Sequence, residues 1–187
     1  MEEQLDGRAV ARALRGPTDA LPAPGDLPAV LQQAVDTART VLAADGVGLM
    51  LVGEDDRPRT AASTDAVAEL LEKVQEDFDE GPCLAAFARG EPIAVTDLGA
   101  DPRWVRLAAV VTQVSIRAVA SVPVRLAGVA VGSLNAYASR PRAWTREELG
   151  GLEAFAELIA GVVQGGCGWR PARPRSASCG RRSPAGS

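Results

Sequence analysis

Cysteines are the side chains of this chain with the most capacity for nucleophilic or redox chemistry. There are three, Cys83, Cys167 and Cys179, and their odd number and irregular spacing do not form the pattern of a disulfide framework. Cys83 follows Gly81-Pro82 at the start of a predicted helix, a position that can lower the pKa of a thiol. Free cysteines are more often small buried side chains, so we predict a structural role for Cys83 and keep a reactive thiol as the alternative.

Acid–base chemistry is limited by the complete absence of histidine. Without histidine the chain cannot form a Ser-His-Asp or Cys-His catalytic group, a His-ligated haem site or the common zinc sites. The only lysine, Lys73, lies among Glu69, Glu72 and Glu76, a pattern typical of a solvated helix surface and not of a Schiff-base site. We therefore expect no enzyme activity, no cofactor and no metal.

Two further patterns look like functional motifs when taken alone. Asp77, Asp79 and Glu80 form an acidic run of the kind that binds a metal or acts as acid and base, but its position at a predicted helix end favours solvation. Gly46-Val47-Gly48 opens a predicted strand, so it lacks the strand-to-helix context of a phosphate-binding loop. Neither pattern predicts a site.

Apolar periodicity and turn signals divide the middle of the chain into helices and strands. Asp26 is the predicted N-cap of the first helix, and Thr145 with Glu148 forms a capping box before the last one. The predicted elements are a helix ending at Gly46, strands at 47–52 and 59–62, a helix capped by Thr64 or Asp65, a short helix at 83–88, a strand at 93–96, a helix at 104–114, a hairpin of 118–124 and 129–137 turning at Ala127-Gly128, and a helix at 149–163. This order predicts an antiparallel α+β domain.

Composition and charge set the expected location and the limits of the folded part. No apolar segment reaches the roughly 20 residues that cross a bilayer, and the acidic N-terminus is unlike a secretory signal, so we expect a cytoplasmic protein without membrane contact. Residues 1–164 carry a net charge of about −9, which argues against nucleic-acid binding by the domain itself. We predict a flexible leader at 1–25, a folded domain at 26–164, and a disordered basic tail at 165–187.

Ordinary apolar and polar side chains on the predicted strands and loops are the candidates for a binding pocket. Asn135 and Tyr137 share one face of a strand, because alternate residues of a strand point the same way. Trp104 follows Asp101-Pro102, which by itself is helix-capping chemistry. The candidate pocket residues are Cys83, Trp104, Val122, Asn135, Tyr137, Leu49 and Leu51. Packing in the core is the alternative role for these side chains.

Four stretches of the sequence give it a resemblance to the GAF sensory domains, and in particular to the GAF portion of actinobacterial GAF–ANTAR antitermination regulators. The stretches are Glu80-Gly-Pro-Cys-Leu-Ala-Ala-Phe, Gly90-Glu-Pro-Ile-Ala-Val-Thr-Asp-Leu followed by Asp101-Pro-Arg-Trp, Ser115-Ile-Arg-Ala-Val-Ala-Ser-Val-Pro-Val, and Gly132-Ser-Leu-Asn-Ala-Tyr. The resemblance covers roughly residues 26–163. It implies a PAS-related α+β fold, in which a central antiparallel sheet has the terminal helices on one face and the middle helices and loops over a pocket on the other.

The resemblance implies a sensory or regulatory module in signal transduction or transcription regulation. GAF domains bind small molecules, including cyclic nucleotides, tetrapyrroles and haem, or only other proteins. This chain has no histidine for haem, Cys83 is not followed by the histidine of a bilin-attachment site, and the Asn-Lys-X-Asp motif of cyclic-nucleotide-binding members is not evident. We expect an unidentified small ligand or a partner protein. One alternative is a free methionine sulfoxide reductase that uses Cys83, and another is a ligand-free dimerisation domain.

The two terminal helices are the predicted contact of a homodimer. Their apolar residues recur at near-heptad spacing, and the candidates for the contact are Leu27, Leu31, Leu149, Leu152, Phe155 and Ile159. Internal packing of the whole stripe is the alternative. In the regulators that the sequence resembles, an ANTAR module would continue the last helix into an RNA-binding bundle, but here the pattern breaks at Gly165-Gly166-Cys167. We therefore expect no RNA binding from this chain and hypothesise a truncated or frameshifted product.

Overall fold

The computed structural model describes residues 26–53 and 55–165. The predictions for residues 1–25 and for the tail, with Cys167 and Cys179, lie outside the described residues. The helices and strands are α1 (Leu27–Leu42), β1 (Gly46–Val52), β2 (Pro58–Ser63), α2 (Ala66–Phe78), α3 (Pro82–Arg89), β3 (Ile93–Val95), α4 (Val105–Val111), β4 (Ala118–Leu126), β5 (Val129–Ala138) and α5 (Arg146–Gly165). Within these ranges no helix is long and apolar enough to cross a membrane.

The strands form one antiparallel sheet in the order β2-β1-β5-β4-β3. The hairpin between β4 and β5 turns at Ala127 and Gly128, whose φ angles of 49° and 82° are both left-handed. Two left-handed residues make the tight turn whose twist matches that of the flanking strands. β5 then pairs with β1, so the last hairpin strand lies at the centre of the sheet. The predicted antiparallel α+β arrangement is confirmed.

Side-chain caps fix where three of the α-helices begin, and at α1 the predicted cap Asp26 accepts from the Ala29 N–H at 3.2 Å. Asp65 Oδ1 accepts hydrogen bonds of 2.9 Å from the backbone N–H groups of Val67 and Ala68 at the start of α2. Before α5, the Glu148 N–H donates to Thr145 Oγ1 at 3.2 Å and the Thr145 N–H donates to Glu148 Oε2 at 2.8 Å. The second pair is the predicted capping box, in which each residue satisfies a backbone donor of the other.

Two predicted helix boundaries are wrong. The first helix ends at Leu42 and not at Gly46, because Ala43 already adopts a left-handed conformation with φ 48°, and Gly46 pairs with the sheet as the first residue of β1. The helix predicted at 104–114 is an α-helix only over Val105–Val111, with 3₁₀ turns at Leu98–Ala100, Pro102–Trp104 and Thr112–Val114. The predicted Asp101 cap is present, since its carboxylate accepts from the N–H of residue 103 at 3.0 Å.

The two faces of the sheet carry separate cores. On one, called the terminal-helix face, α1 and α5 pack against strand residues; its buried apolar residues include Leu31, Val35, Val47, Leu49, Val122, Leu134, Leu152, Phe155 and Ile159. On the other, called the middle-helix face, α2, α3 and α4 pack against Val119 and Tyr137. The predicted distribution of helices over the two faces is confirmed.

Four of the six residues predicted to form a dimer contact instead lie in the internal core. Leu31, Leu152, Phe155 and Ile159 are all buried within the single chain, with exposures from 4% to 0%. A side chain covered by its own sheet cannot face a second subunit, so their assignment to a dimer surface is wrong. The other two, Leu27 and Leu149, are only partly buried against the same core.

Candidate functional site

The residues predicted to line one pocket divide between the two faces of the sheet. Leu49 and Val122 are fully buried on the terminal-helix face, and Leu51 packs against the same core. These three therefore do not share a wall with Cys83, and their prediction as pocket residues beneath the middle helices is wrong. The physical reason is strand alternation, which places the odd-numbered residues of β1 toward α1 and α5. Cys83, Trp104, Asn135 and Tyr137 lie on the middle-helix side.

A cluster of buried polar side chains occupies the centre of the middle-helix face. Its members, called the polar cluster below, are Glu72 and Gln75 of α2, Cys83 of α3, Ser121 of β4, and Ser133 and Asn135 of β5. None of these residues is more than 1% exposed. Such a concentration of polar groups beneath two helices is uncommon for a sheet core, where apolar residues dominate. It is the strongest candidate for a binding site among the described residues.

The sheet makes room for the polar cluster with a glycine. Gly48, Asn135 and Ser121 lie side by side across β1, β5 and β4. A Cβ at Gly48 would overlap Oε1 of Glu72, so the missing side chain allows the carboxyl group to rest on the strand. There Asn135 Nδ2 donates a hydrogen bond of 2.9 Å to Glu72 Oε1. The strand and the helix above it are thus joined by a carboxyl–amide contact.

Gln75 links the polar cluster to the start of α3. Its Oε1 accepts from the Cys83 N–H at 2.9 Å, and its Nε2 donates to the Cys83 Sγ and to the Leu71 carbonyl. Helix α3 has no side-chain cap of its own, because Gly81 occupies the cap position with φ 140°. A Cβ at Gly81 would overlap the Gln75 amide. Gln75 therefore serves as a remote cap for α3.

Burial determines the protonation of the two titratable groups in the cluster. Desolvation raises the pKa of Glu72 to about 8, so its carboxyl group is largely neutral at pH 7. Desolvation, followed by the neighbouring Glu72 carboxyl, raises the pKa of the Cys83 thiol well above its usual value. A helix start can lower the pKa of a thiol, but in the structure burial raises the pKa of Cys83. A fully buried, protonated thiol is not poised for nucleophilic attack.

Three atoms of the polar cluster have no hydrogen-bond partner. They are Glu72 Oε2, Ser133 Oγ and Asn135 Oδ1, all inaccessible to solvent. Buried polar atoms in folded proteins nearly always have a partner, so each exception points to an additional occupant such as a water or a ligand. All three belong to residues that face the space between β5 and α2. The cluster consequently has unused hydrogen-bonding capacity in one place.

A surface depression adjoins the polar cluster. Its volume is about 540 Å³, within the range of small-molecule sites. The turn between β1 and β2, helix α3, and Trp104 surround it, and Gly81 forms part of its wall. The Gln75 amide lies against Gly81, so this glycine contacts both the depression and the polar cluster. Trp104 is nearly buried here, with the Arg103 guanidinium stacked 4.1 Å from its ring centroid.

Tyr137 lies beside the cluster and is tied to the cap of α2. Its hydroxyl donates to Asp65 Oδ1 at 3.3 Å. Burial, with the Asp65 carboxylate next to it, raises the pKa of Tyr137 to about 12. Its ring fills the space above Gly46, where a Cβ would overlap it. Tyr137 is therefore a packing and capping residue in the structure, which was the alternative to its pocket role.

The acidic run at the end of α2 is solvated, as its position predicts. Asp77 pairs with Lys73 at 2.5 Å and Asp79 with Arg57 at 3.4 Å, all with exposed side chains. Glu80 instead accepts a hydrogen bond of 3.3 Å from the backbone N–H of residue 107 in α4. No group of three or more His, Cys, Asp or Glu residues within 26–53 and 55–165 is arranged to hold a metal ion.

Sequence reasoning missed Glu72, Gln75, Ser121 and Ser133. Glu72 was predicted to lie on a solvated helix surface and Gln75 was assigned no role, although the helical spacing gives a contrary signal. Residues 72 and 75 fall on the same helical face as Ala68 and Leu71, and that face is buried. Ser121 lies two positions after Val119, and Ser133 lies two positions before Asn135. Strand alternation alone would therefore have placed each serine on the same face as its partner.

Solved structures with the same fold come from several proteins. The GAF domain of an Acinetobacter phosphoenolpyruvate-protein phosphotransferase shares 16% identity over 87% of this chain and 93% of its own, with a TM-score of 0.64. A domain from Sinorhizobium meliloti, described as part of a two-component sensor histidine kinase protein, shares 20% identity over 73% of this chain and 89% of its own, with a TM-score of 0.60. The free methionine-R-sulfoxide reductase of Neisseria meningitidis, in complex with its substrate, shares 18% identity over 85% of this chain and 86% of its own, with a TM-score of 0.62.

At these identities the structural likeness establishes the fold, and the function of each neighbour remains its own. No curated protein matches the chain significantly. The family model of the GAF domain matches residues 26–163, which include the whole sheet, α1 to α4 and nearly all of α5. The match over most of the chain, together with the sheet order and the two helical layers, shows that this chain belongs to the GAF domain family.

Proposed function

We propose that this GAF domain is a sensory module that binds a small molecule at the polar cluster. The observation that carries the proposal is the set of three unpartnered buried atoms, Glu72 Oε2, Ser133 Oγ and Asn135 Oδ1. Leaving such an atom unpartnered costs on the order of 1–3 kcal/mol, and a ligand that hydrogen-bonds to the cluster would recover this free energy. The adjoining depression beside Gly81 offers space for the remainder of the molecule.

The binding signal would reach the terminal helices through β5. Asn135 faces the cluster, whereas its neighbours Leu134 and Ala136 are buried in the core beneath α1 and α5. A ligand that draws Asn135 toward α2 would therefore bias the packing of β5 against the terminal helices. This is a population shift between two packings of the same elements. The sequence resemblance to the GAF portion of actinobacterial antitermination regulators supports a role in transcription regulation.

Two matched variants test whether the cluster binds a ligand. Purified protein is screened against nucleotides, amines, amino acids and other metabolites by thermal shift, because a ligand that binds only the folded state raises the melting temperature. We expect at least one compound to stabilise the wild type and not Ser133→Ala. The control is Ser139→Ala, whose exposed residue lies just beyond the end of the same strand. Stabilisation by no compound, or equal stabilisation of both variants, would contradict the proposal.

Catalysis by Cys83 is the alternative from a different class. The Neisseria meningitidis neighbour is a free methionine-R-sulfoxide reductase, and a similar activity here would use Cys83 as the nucleophile. The buried thiol with its raised pKa favours binding over catalysis in this chain. Cys83→Ser separates the two proposals. Ligand stabilisation that survives this substitution, with no methionine sulfoxide reduction by the wild type, supports the sensor, whereas reduction that the substitution abolishes supports the enzyme.

We further propose a homodimer formed by the solvent-facing side of α5. Leu158 is 41% exposed on this side, and Gly150 and Gly161 allow close approach of a second helix, since nothing lies within 4 Å of a Cβ at either position. Leu158→Glu would then shift the mass measured by light scattering from dimer to monomer while leaving the circular dichroism spectrum unchanged. Leu158→Ala, which keeps the position apolar, serves as the control. A wild type that is monomeric at all concentrations would dismiss the dimer.

A further inference from the structure

Glu72 is a buried acid without a counter-charge. Its side chain is fully buried between its own helix, α2, and the sheet. In the described residues it forms no ion pair with an Arg or Lys side chain. The charged group that acts on it is another acid, Glu76, one turn further along α2. An isolated buried charge is costly. Below its pKa of about 8, the carboxyl group therefore stays mostly neutral unless a cation reaches it.

Once Glu72 has released its proton, the unused hydrogen-bonding capacity of the cluster is mainly that of acceptors, although the Ser133 hydroxyl can also donate. An N–H of the Asn135 side-chain amide already donates to Glu72 Oε1. The atoms without a hydrogen-bond partner are the Asn135 side-chain carbonyl oxygen, Glu72 Oε2 and the Ser133 hydroxyl oxygen. A carbonyl or carboxylate oxygen of a ligand would leave the Asn135 oxygen without a donor. A group with several N–H donors would satisfy all three atoms together.

We infer that the polar cluster recognises a compact cation with several N–H donors, an ammonium or amidinium group, which forms an ion pair with the Glu72 carboxylate when that carboxyl group releases its proton to solvent. This inference rests on the proposed binding role of the cluster and adds the chemistry of the ligand. The cation supplies the missing counter-charge, and its N–H groups complete the hydrogen bonds of Asn135 and Ser133. No covalent bond other than the O–H bond of Glu72 is broken.

The inference makes binding depend on pH through Glu72. The other titratable groups that face Glu72 are Glu76 on α2 and the Cys83 thiol on α3; the side chains that β4 and β5 contribute to the cluster are serines and an asparagine, and β1 contributes Gly48. Below the pKa of about 8 of Glu72, each bound cation displaces one proton. Affinity therefore rises about tenfold per pH unit up to this pKa and is constant above it.

Three small probes of nearly the same shape test the charge of the ligand. Acetamidinium is a cation with N–H donors, acetamide is neutral, and acetate is an anion. Binding to the whole chain is measured by calorimetry at pH 6, 7, 8 and 9, in two buffers of different ionisation enthalpy so that proton release can be counted. We expect only acetamidinium to bind, with release of about one proton at pH 6 and about tenfold tighter binding at pH 7 than at pH 6.

A pair of glutamate variants locates the binding. Glu72→Gln keeps the shape of the side chain and removes its charge, so we expect acetamidinium to bind at least about tenfold more weakly, in line with the loss of one charge-assisted hydrogen bond. Glu69→Gln, an exposed position on the same helix, leaves binding unchanged. The proton count on the wild type does not depend on either variant, so poor folding of Glu72→Gln would not obscure the result.

The outcomes separate this inference from the proposed function. Equal or tighter binding of acetamide or acetate, binding of acetamidinium without proton release, or no binding of acetamidinium overturns the cationic ligand. If other metabolites still stabilise the wild type through Ser133, the sensory proposal stands without it. If nothing binds in either experiment, both fail, and ordered water is the occupant of the cluster.

Discussion

The side-chain amide of Asn135 donates a hydrogen bond of 2.9 Å to Glu72 Oε1, although both side chains are fully enclosed by the protein. This contact joins the central strand β5 to helix α2 across the middle-helix face. It places an amide against a carboxyl group whose second oxygen is unpartnered. The free energy of the folded state therefore depends on whether this carboxyl group is protonated, and that dependence can be measured.

We expect the free energy of unfolding to decrease less steeply with rising pH in Glu72→Gln than in the wild type. The pKa of Glu72 is about 8 in the folded protein, against its usual 4.5, so between these values the folded state holds a proton that the unfolded state has lost. The free energy of unfolding then decreases with pH, by up to about 1.4 kcal/mol per unit from this one group. Urea denaturation at pH 5, 6, 7 and 8 measures the slope. Glu69→Gln should keep the wild-type slope, and parallel curves for wild type and Glu72→Gln would refute the assignment.

Gly48→Ala tests the close contact between β1 and the Glu72 side chain. A methyl group at this position would overlap the carboxyl oxygen, so we expect a destabilisation of about 1–3 kcal/mol from overpacking. Combining it with Glu72→Ala should cost less than the sum of the two single changes, since the shorter side chain makes room. Gly165→Ala, at the end of α5, is the control, because nothing lies within 4 Å of the new methyl group. It should leave the free energy of unfolding unchanged to within about 0.5 kcal/mol.

Caps and periodicity are local properties and were sufficient to predict the helices and strands, whereas the two helical layers were implied by the resemblance to GAF domains. Asp65, Thr145 and the Ala127-Gly128 turn act through their own neighbours in the chain. The face of the sheet toward which a strand residue points could not be predicted from local properties. Alternation shows that Leu49 and Leu51 point the same way, but only the packing of α1 and α5 decides that this is the terminal-helix face.

The polar cluster could not be predicted from residue type. A glutamate amid other charged residues is normally solvated, and Glu72 is buried only because Gly48 and Asn135 lie beneath it on two strands distant in sequence. Likewise the pKa of Cys83 depends on the elements that cover it more than on its place at the start of α3. Tertiary burial outweighs the effect of the helix start, which acts at short range.

Tyr137 should titrate at an unusually high pH, and Asp65 should be part of the cause. It is the only tyrosine of the chain, so the ultraviolet absorbance of tyrosinate reports on it alone. We expect a pKa near 12 in the wild type and a lower one in Asp65→Asn, which removes the charge and keeps an oxygen to cap α2. The folded state keeps this proton to a higher pH than the unfolded state does, so the free energy of unfolding falls between about pH 10 and pH 12. Circular dichroism at each pH must therefore show that the protein is still folded. Asp36→Asn, at an exposed position on α1, should not change the titration, and an unchanged midpoint in Asp65→Asn would contradict the role of Asp65.

Cys83 should resist alkylation for as long as the domain is folded. Its thiol is fully buried and its pKa is raised by burial, whereas alkylation requires an accessible thiolate. The rate of iodoacetamide labelling, followed by peptide mass spectrometry so that Cys167 and Cys179 are counted separately, should track the opening of α3 and rise with added urea.

Gln75→Ala is the informative variant for the same measurement, because it removes both the remote cap of α3 and the amide against the sulfur. We expect faster labelling of Cys83 in this variant before any global unfolding. Gln113→Ala is a matched control, since that glutamine is exposed and contacts only a backbone carbonyl one turn earlier. Labelling of Cys83 in the folded protein as fast as in the urea-unfolded chain would mean that the thiol is open to solvent. That result would favour the thiol enzyme over the sensor.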